Sequence, residues 1–280
     1  MGGAMAERLG VLGWMPKVYD IDPSKPKILE RFGAVALDNP QQVAIETVAI
    51  IVCVVDAAQT RDVLFGAHGI ASHLQPGQVV LLCPTIAPQD VEELGLRLGA
   101  AGVGVLDAPM SGGPSRARDG SMSLMVAGSD TVVKQCAGLL SALSGQVFCI
   151  GERLGDGART KLVNNLLAGI NLVGAAEVMA LARRLGLDQS RTLDVIAQSS
   201  GQSWIGTDRM RRAVVGDLAP RAHMRLLAKD TDLAQDCARS VGFECPMGTL
   251  ATQVFAAALQ AGLADLDDAA LLPFLDRRTP

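Results

Sequence analysis

The hydrophobic rhythm of the chain changes once, and that change limits what it can fold into. Up to Gly151, short strand-like runs rich in apolar residues recur at 49–55, 78–83, 103–110, 121–128 and 147–150, the first of them continuously apolar, separated by stretches with helical spacing. Runs of this kind are expected of strands covered on both faces, so the first part is predicted to be α/β with a mostly parallel sheet. Beyond Gly151 strand-like runs disappear, and helices are predicted over roughly 158–185, 189–198, 203–215, 222–241 and 246–261. The boundary is placed near 153. It separates a Rossmann-like domain at 1–153 from an all-α domain at 154–280 that begins with one long helix. Aromatic residues supply only 3% of the chain, which leaves Ala, Leu and Val to fill both cores.

The first domain opens on small residues. Gly2 and Gly3 begin a helix that Gly13 closes, and Val18-Tyr19-Asp20 then reads as a strand ending in an acid. Glycine, helix, strand and acid in that order form the latter part of a dinucleotide-binding βαβ unit, in which the acid bonds the adenosine ribose. The chain is thus expected to start inside the motif, without its first strand and first two glycines. Either the start is placed late in a longer reading frame, or the chain is a cofactor-impaired remnant that acts as a binding or scaffold protein. Apolar surface left by a missing central strand favours the first alternative.

Single features further along have plain structural readings beside functional ones. Asp56 follows the 49–55 run directly, where ligands collect in open α/β sheets. Thr85 is well placed to cap the helix that starts near Pro88. The turn Ser111-Gly112-Gly113-Pro114 lets a backbone approach an anion closely, or is simply a turn. Ser203 suits a helix N-cap. Lys161 stands four residues before Asn165 on a helix dominated by Leu, Val, Ile, Ala and Gly, so the two share a face. A lysine at the start of a buried helix loses its charge readily and is a candidate acid or base.

Composition excludes other classes. The net charge of −4 argues against a general nucleic-acid binder. The six cysteines contain no C-x-x-C pair and are read as reduced, structural residues of a cytoplasmic protein. The three histidines lack metal-ligand spacing, so no metal site is expected. No uninterrupted apolar run looks long enough to cross a bilayer, and no membrane partner is expected.

Taken together, Asp107-Ala108-Pro109-Met110-Ser111-Gly112-Gly113, Gly155-Asp156-Gly157 with Lys161 and Asn164-Asn165, and Lys229-Asp230 resemble the β-hydroxyacid dehydrogenase family. The family is represented by 3-hydroxyisobutyrate dehydrogenase, and the resemblance covers almost the whole chain. The segments 55–60, 165–169 and Ser203-Trp204 followed by Arg209-Met210 look most similar to its sugar-acid branch, which includes the L-threonate dehydrogenases.

The resemblance implies Lys161 as catalytic acid/base and Asn165 holding the substrate beside it, supported by Asn164. It implies Ser111, Gly112 and Gly113 on the substrate carboxylate. Val55, Asp56 and Thr85 would line the nicotinamide side, and Gly2 would belong to the phosphate turn. Lys229 would lie near the cofactor, positioned by Asp230. Asp56 departs from the Pro or Asn common at its position. Asp20 implies NAD rather than NADP, because an acid repels a 2′-phosphate. A small hydroxy acid and a homodimer or homotetramer complete what is implied.

Overall fold

The computed structural model describes residues 1–277 and divides into two compact units, Met1–Lys161 and a second from Leu162 onward. The first unit contains, in order, α1 (Gly2–Val11), β1 (Lys17–Val18), α2 (Ser24–Leu29), β2 (Val35–Ala36), β3 (Ala49–Val52), α3 (Ala57–Phe65), β4 (Val79–Leu82), α4 (Pro88–Gly99) and β5 (Gly104–Asp107). β6 (Met110–Ser111), α5 (Gly113–Asp119), β7 (Ser123–Ala127), α6 (Asp130–Gln135), α7 (Ala137–Leu143) and β8 (Gln146–Gly151) follow.

β3, β4 and β5 pair in parallel, as does β8 with β7, whereas β7 runs antiparallel to both β5 and β6. The core explains the continuous apolar runs. Every residue of β4 is buried: Val79 and Leu81 face a cluster with Met5 and Leu9 of α1 and Leu140 of α7, while Val80 and Leu82 face Leu64 of α3 and Val91, Leu94 and Leu98 of α4. A strand with helices on both faces has no polar side to show.

The N-terminal strands are shorter than the sequence suggests. β1 contains only Lys17 and Val18, and it pairs in parallel with β2 in a separate two-stranded sheet. Tyr19 and Asp20 lie beyond β1. With one two-residue neighbour, β1 has little ladder to hold it longer.

The second unit is helical: the rest of α8 (Asp156–Arg184), then α9 (Gln189–Ala197), α10 (Trp204–Val214), α11 (Met224–Ser240), α12 (Pro246–Gln260) and α13 (Leu271–Arg277). Ser203 caps α10 by accepting from Gly206 N–H, as its place in the sequence suggested, and Asp188 caps α9 in the same way. Phe255, Leu172, Met179, Met210 and Leu271 are fully buried in one shared core. Two arginines of α10 secure the turn before α13: Arg209 meets Asp268 at 2.6 Å and Arg212 meets Asp267 at 2.9 Å.

Two expectations require correction. α8 as a whole contains an 18-residue window of mean hydropathy 1.5, long and apolar enough by length and composition to cross a membrane. Its glycines and polar residues hide this from a search for uninterrupted runs, and 39% of that window is buried inside the protein. The 147–150 run is not covered on both faces: most of β8 faces solvent, and Cys149 on it is exposed.

Candidate active site

Parallel register brings several of the singled-out residues to one end of the sheet. Val52 is level with Leu82, and Leu82 with Asp107. The segments that follow these residues, with Val55 and Asp56, Thr85, and Ala108 and Pro109, therefore start at the carboxyl end of these strands, where such folds collect ligands, and the last of them runs on into β6 with Ser111. Gly2 joins them: a Cβ on it would lie 3.3 Å from Cys53, the residue just after β3.

The turn after β6 is built for close approach. Gly112 and Gly113 have φ of +130° and +75°, conformations that side chains resist. A Cβ on Gly112 would come within 3.0 Å of Arg116, whose guanidinium is held by Ser121.

Lys161 is 7% exposed, in the second turn of α8. The start of that helix is capped from outside. Asp107, at the end of β5 and 1% exposed, accepts hydrogen bonds at Oδ2 from Gly155 N–H at 3.0 Å and Ala158 N–H at 2.9 Å. Gly155 has φ +90° and no side chain with which to cap. A Cβ on Gly157 would stand 2.9 Å from the Asp107 carboxylate. Burial pushes the Asp107 carboxyl up to about 6, against the pull of its backbone donors. On the outer side, Arg159 bonds both Glu92 of α4 and Asp156.

In the second unit, Asn165 and Asp230 are both 8% exposed, and Asn165 donates from Nδ2 to Asp230 Oδ2 at 2.5 Å. Lys229 donates to the other oxygen of the same carboxylate at 2.8 Å. Asp230 thus orients two side chains, one from α8 and one from α11. Asn164, exposed on α8, donates to Asn165 Oδ1 at 3.0 Å. Lys161 and Asn165 stand one turn apart on α8.

The nucleotide end has its own features. Asp20 lines a cavity of about 170 Å³ with Tyr19, Pro23, Pro26, Leu37 and Asp38, and its Oδ1 accepts from Asp22 N–H at 2.9 Å. The ten-residue α1 starts at Gly2 without a side-chain cap or an acid in its first turn. These features fit a dinucleotide, with phosphate at a helix N-terminus and ribose beside an acid.

Local structure accounts for two residues differently from the sequence. Asp56 is the N-cap of α3, accepting from Gln59 N–H at 2.8 Å. The N-cap position of α4 is Ala87, two residues beyond Thr85. A larger cavity of about 920 Å³ in the second unit, lined by Gly174, Val178, Ile196, Gly206 and Val254, includes none of the site residues. Among the described residues, no cluster of three His, Cys, Asp or Glu could hold a metal. Sequence reasoning quoted Asp107 only as part of a motif. The signal that could have exposed its role is a helix start with two glycines and no local cap.

Residues 1–151 match the family described as the NAD binding domain of 6-phosphogluconate dehydrogenase. Residues 155–275 match the family described as NAD-binding of NADP-dependent 3-hydroxyisobutyrate dehydrogenase. The chain is 36% identical over 274 residues to the L-threonate dehydrogenase of Escherichia coli (strain K12), covering 97% of this chain and 90% of that one. It is 30% identical over 282 residues to the mitochondrial 3-hydroxyisobutyrate dehydrogenase of Homo sapiens, covering 98% and 84%. A crystal structure of 3-hydroxyisobutyrate dehydrogenase from Salmonella typhimurium is similar with a TM-score of 0.90 at 34% identity, covering 97% and 95%. Fold and relatives together define an NAD(P)-dependent hydroxyacid dehydrogenase. The chain belongs to the 3-hydroxyisobutyrate dehydrogenase-like family.

Proposed function

We propose that this chain oxidises the hydroxyl of a four-carbon sugar acid such as L-threonate, with Lys161 as general acid/base and NAD as hydride acceptor. The observation that carries the proposal is the buried Lys161, one turn beyond a capped helix start and one turn before Asn165, whose amide Asp230 holds. Oxidising a secondary alcohol removes a hydride from carbon and a proton from oxygen. The nicotinamide supplies the hydride acceptor.

The side chains supply the rest. In this reading Lys161 Nζ takes the hydroxyl proton, and in the reverse direction its ammonium polarises the carbonyl and returns the proton. Asn165 holds the substrate beside Lys161 because Asp230 fixes its amide. The turn Ser111-Gly112-Gly113 receives the carboxylate, with glycine conformations that open its backbone to an anion. Gly2 begins the phosphate-binding helix end, Val55 and Thr85 line the nicotinamide side, and Lys229 stands near the cofactor.

The choice of a sugar acid is supported by the L-threonate dehydrogenase at 36% identity; 3-hydroxyisobutyrate is the next substrate in order. NAD over NADP is supported by Asp20 just beyond β1, an acid that would repel a 2′-phosphate; the small cavity there also has Asp38 and Lys27 in its lining, and Lys25 pairs with Asp20 at 3.4 Å. A panel of hydroxy acids assayed with each cofactor tests both choices. The highest kcat/KM is expected for L-threonate with NAD, and a preference for NADP or for an unrelated alcohol would refute them.

A homo-oligomer belongs to the same reading. Val163, Leu167, Val178 and Leu181 are exposed along α8, an apolar stripe that suits a partner copy. A monomeric mass by light scattering would contradict it.

A further inference from the structure

We propose that Asp107 is a positioning residue for proton transfer: its carboxylate sets the start of α8 and thereby the placement of Lys161. The proposal rests on Lys161 being the acid/base. Ala158, whose N–H Asp107 binds, lies one helical turn before Lys161 on α8. Any slip or rotation of that first turn is therefore passed on to the lysine.

The cap is held from both sides. Asp107 ends β5, level with Leu82 on β4 and with Ala127 on β7. Its backbone is thus fixed by two neighbouring strands, and its side chain is 1% exposed. Opposite it, a Cβ on Gly157 would meet the carboxylate at 2.9 Å and the Met125 carbonyl at 2.8 Å, so only glycine allows this approach. Gly155 brings no side-chain cap; Asp156 N–H bonds the Arg153 carbonyl, while the Gly155 and Ala158 N–H groups depend on the strand's carboxylate.

A neutral Ser or Asn would satisfy a helix end at lower cost than a buried carboxylate. The charged acceptor gives bonds about twice as strong as neutral ones, and so holds the helix start more firmly. The same segment continues through Ala108 and Pro109 to Ser111, Gly112 and Gly113. One side chain therefore registers the proposed carboxylate turn against the helix that carries the proposed base.

The test compares Asp107→Ala, Asp107→Asn and Lys161→Ala in the full chain, reading kcat per folded protein, KM for the hydroxy acid, and NADH affinity by fluorescence titration. Asp107→Ala is expected to lose roughly tenfold to a hundredfold in kcat, with KM and NADH affinity little changed. Asp107→Asn is expected to recover part of that loss, because its side-chain oxygen can accept the same two N–H groups, though in weaker neutral bonds. If Asp107→Ala does not fold, Asp107→Glu carries the test, since its longer side chain shifts the helix start and should lower kcat in the same way.

A merely structural carboxylate would lower the unfolding midpoint and leave kcat of the folded protein at the wild-type value, which would overturn the proposal. So would a loss in Asp107→Asn as deep as in Asp107→Ala. Substantial turnover in Lys161→Ala would overturn the acid/base reading and this proposal together. An inactive Lys161→Ala beside a fully active Asp107→Ala would overturn this proposal alone.

Discussion

Asn165 donates to Asp230 across 2.5 Å, and each of the two residues is 8% exposed. The carboxylate also takes Lys229, so its two oxygens serve two different partners. Asp230→Ala leaves the Asn165 amide and the Lys229 ammonium without that acceptor. The expected cost is about 2 kcal/mol of stability, with a larger proportional loss in kcat/KM. Urea unfolding beside steady-state kinetics checks both. A loss of stability with unchanged kcat/KM would remove Asn165 and Lys229 from the chemistry.

The approach of α8 to α11 depends on a glycine one turn further along. A Cβ on Gly169 would lie 2.7 Å from Thr231 and 3.3 Å from Phe255. Thr231 and Phe255 are themselves fully buried and have little room to yield. Gly169→Ala is therefore expected to destabilise by about 1–3 kcal/mol, despite the helix propensity that alanine adds. A neutral or stabilising effect in denaturant unfolding would show that the helices can part without cost.

Asp107 also makes stability depend on pH. Its folded-state pKa, raised by burial to about 6, lies above the ordinary 3.8. The contribution is thus complete below about pH 4 and is lost as pH rises through 6, amounting to roughly 3 kcal/mol. Asp268, which burial also pushes up to about 6 beside Arg209, acts with the same sign. Asp107→Asn should remove the Asp107 share and flatten the fall in unfolding free energy between pH 4 and 6. An unchanged slope would mean that Asp107 titrates elsewhere.

Much of this architecture can be read from local sequence, for identifiable reasons. The helices of the second unit follow a 3.6-residue apolar period with local start signals, the Asp188 cap before α9 and Pro246 at the start of α12, so 189–198 became Gln189–Ala197 and 246–261 became Pro246–Gln260. The strands around β4 were visible because burial on both faces leaves no polar residue to break the run. α13 was not visible. Pro273 interrupts its pattern, and the turn before it is held by Arg209 and Arg212 from α10, partners more than fifty residues away.

The candidate site divides in the same way. Its motifs could be found by their order, and the glycines of the proposed carboxylate turn could be read from their types. That Asp107 reaches Gly155 and Ala158, or that Asp230 holds Asn165, depends on tertiary pairing that no local pattern encodes. Asp56 also caps its own helix, a local bond that its place at the end of a strand-like run does not announce.

The central claim is that Lys161 moves the proton. Its most direct test is turnover of L-threonate with NAD by Lys161→Ala, measured beside an NADH titration of the same protein. A fall in kcat of about 10²–10⁴ is expected, with NADH affinity largely intact. Near-normal turnover in that variant would contradict the claim.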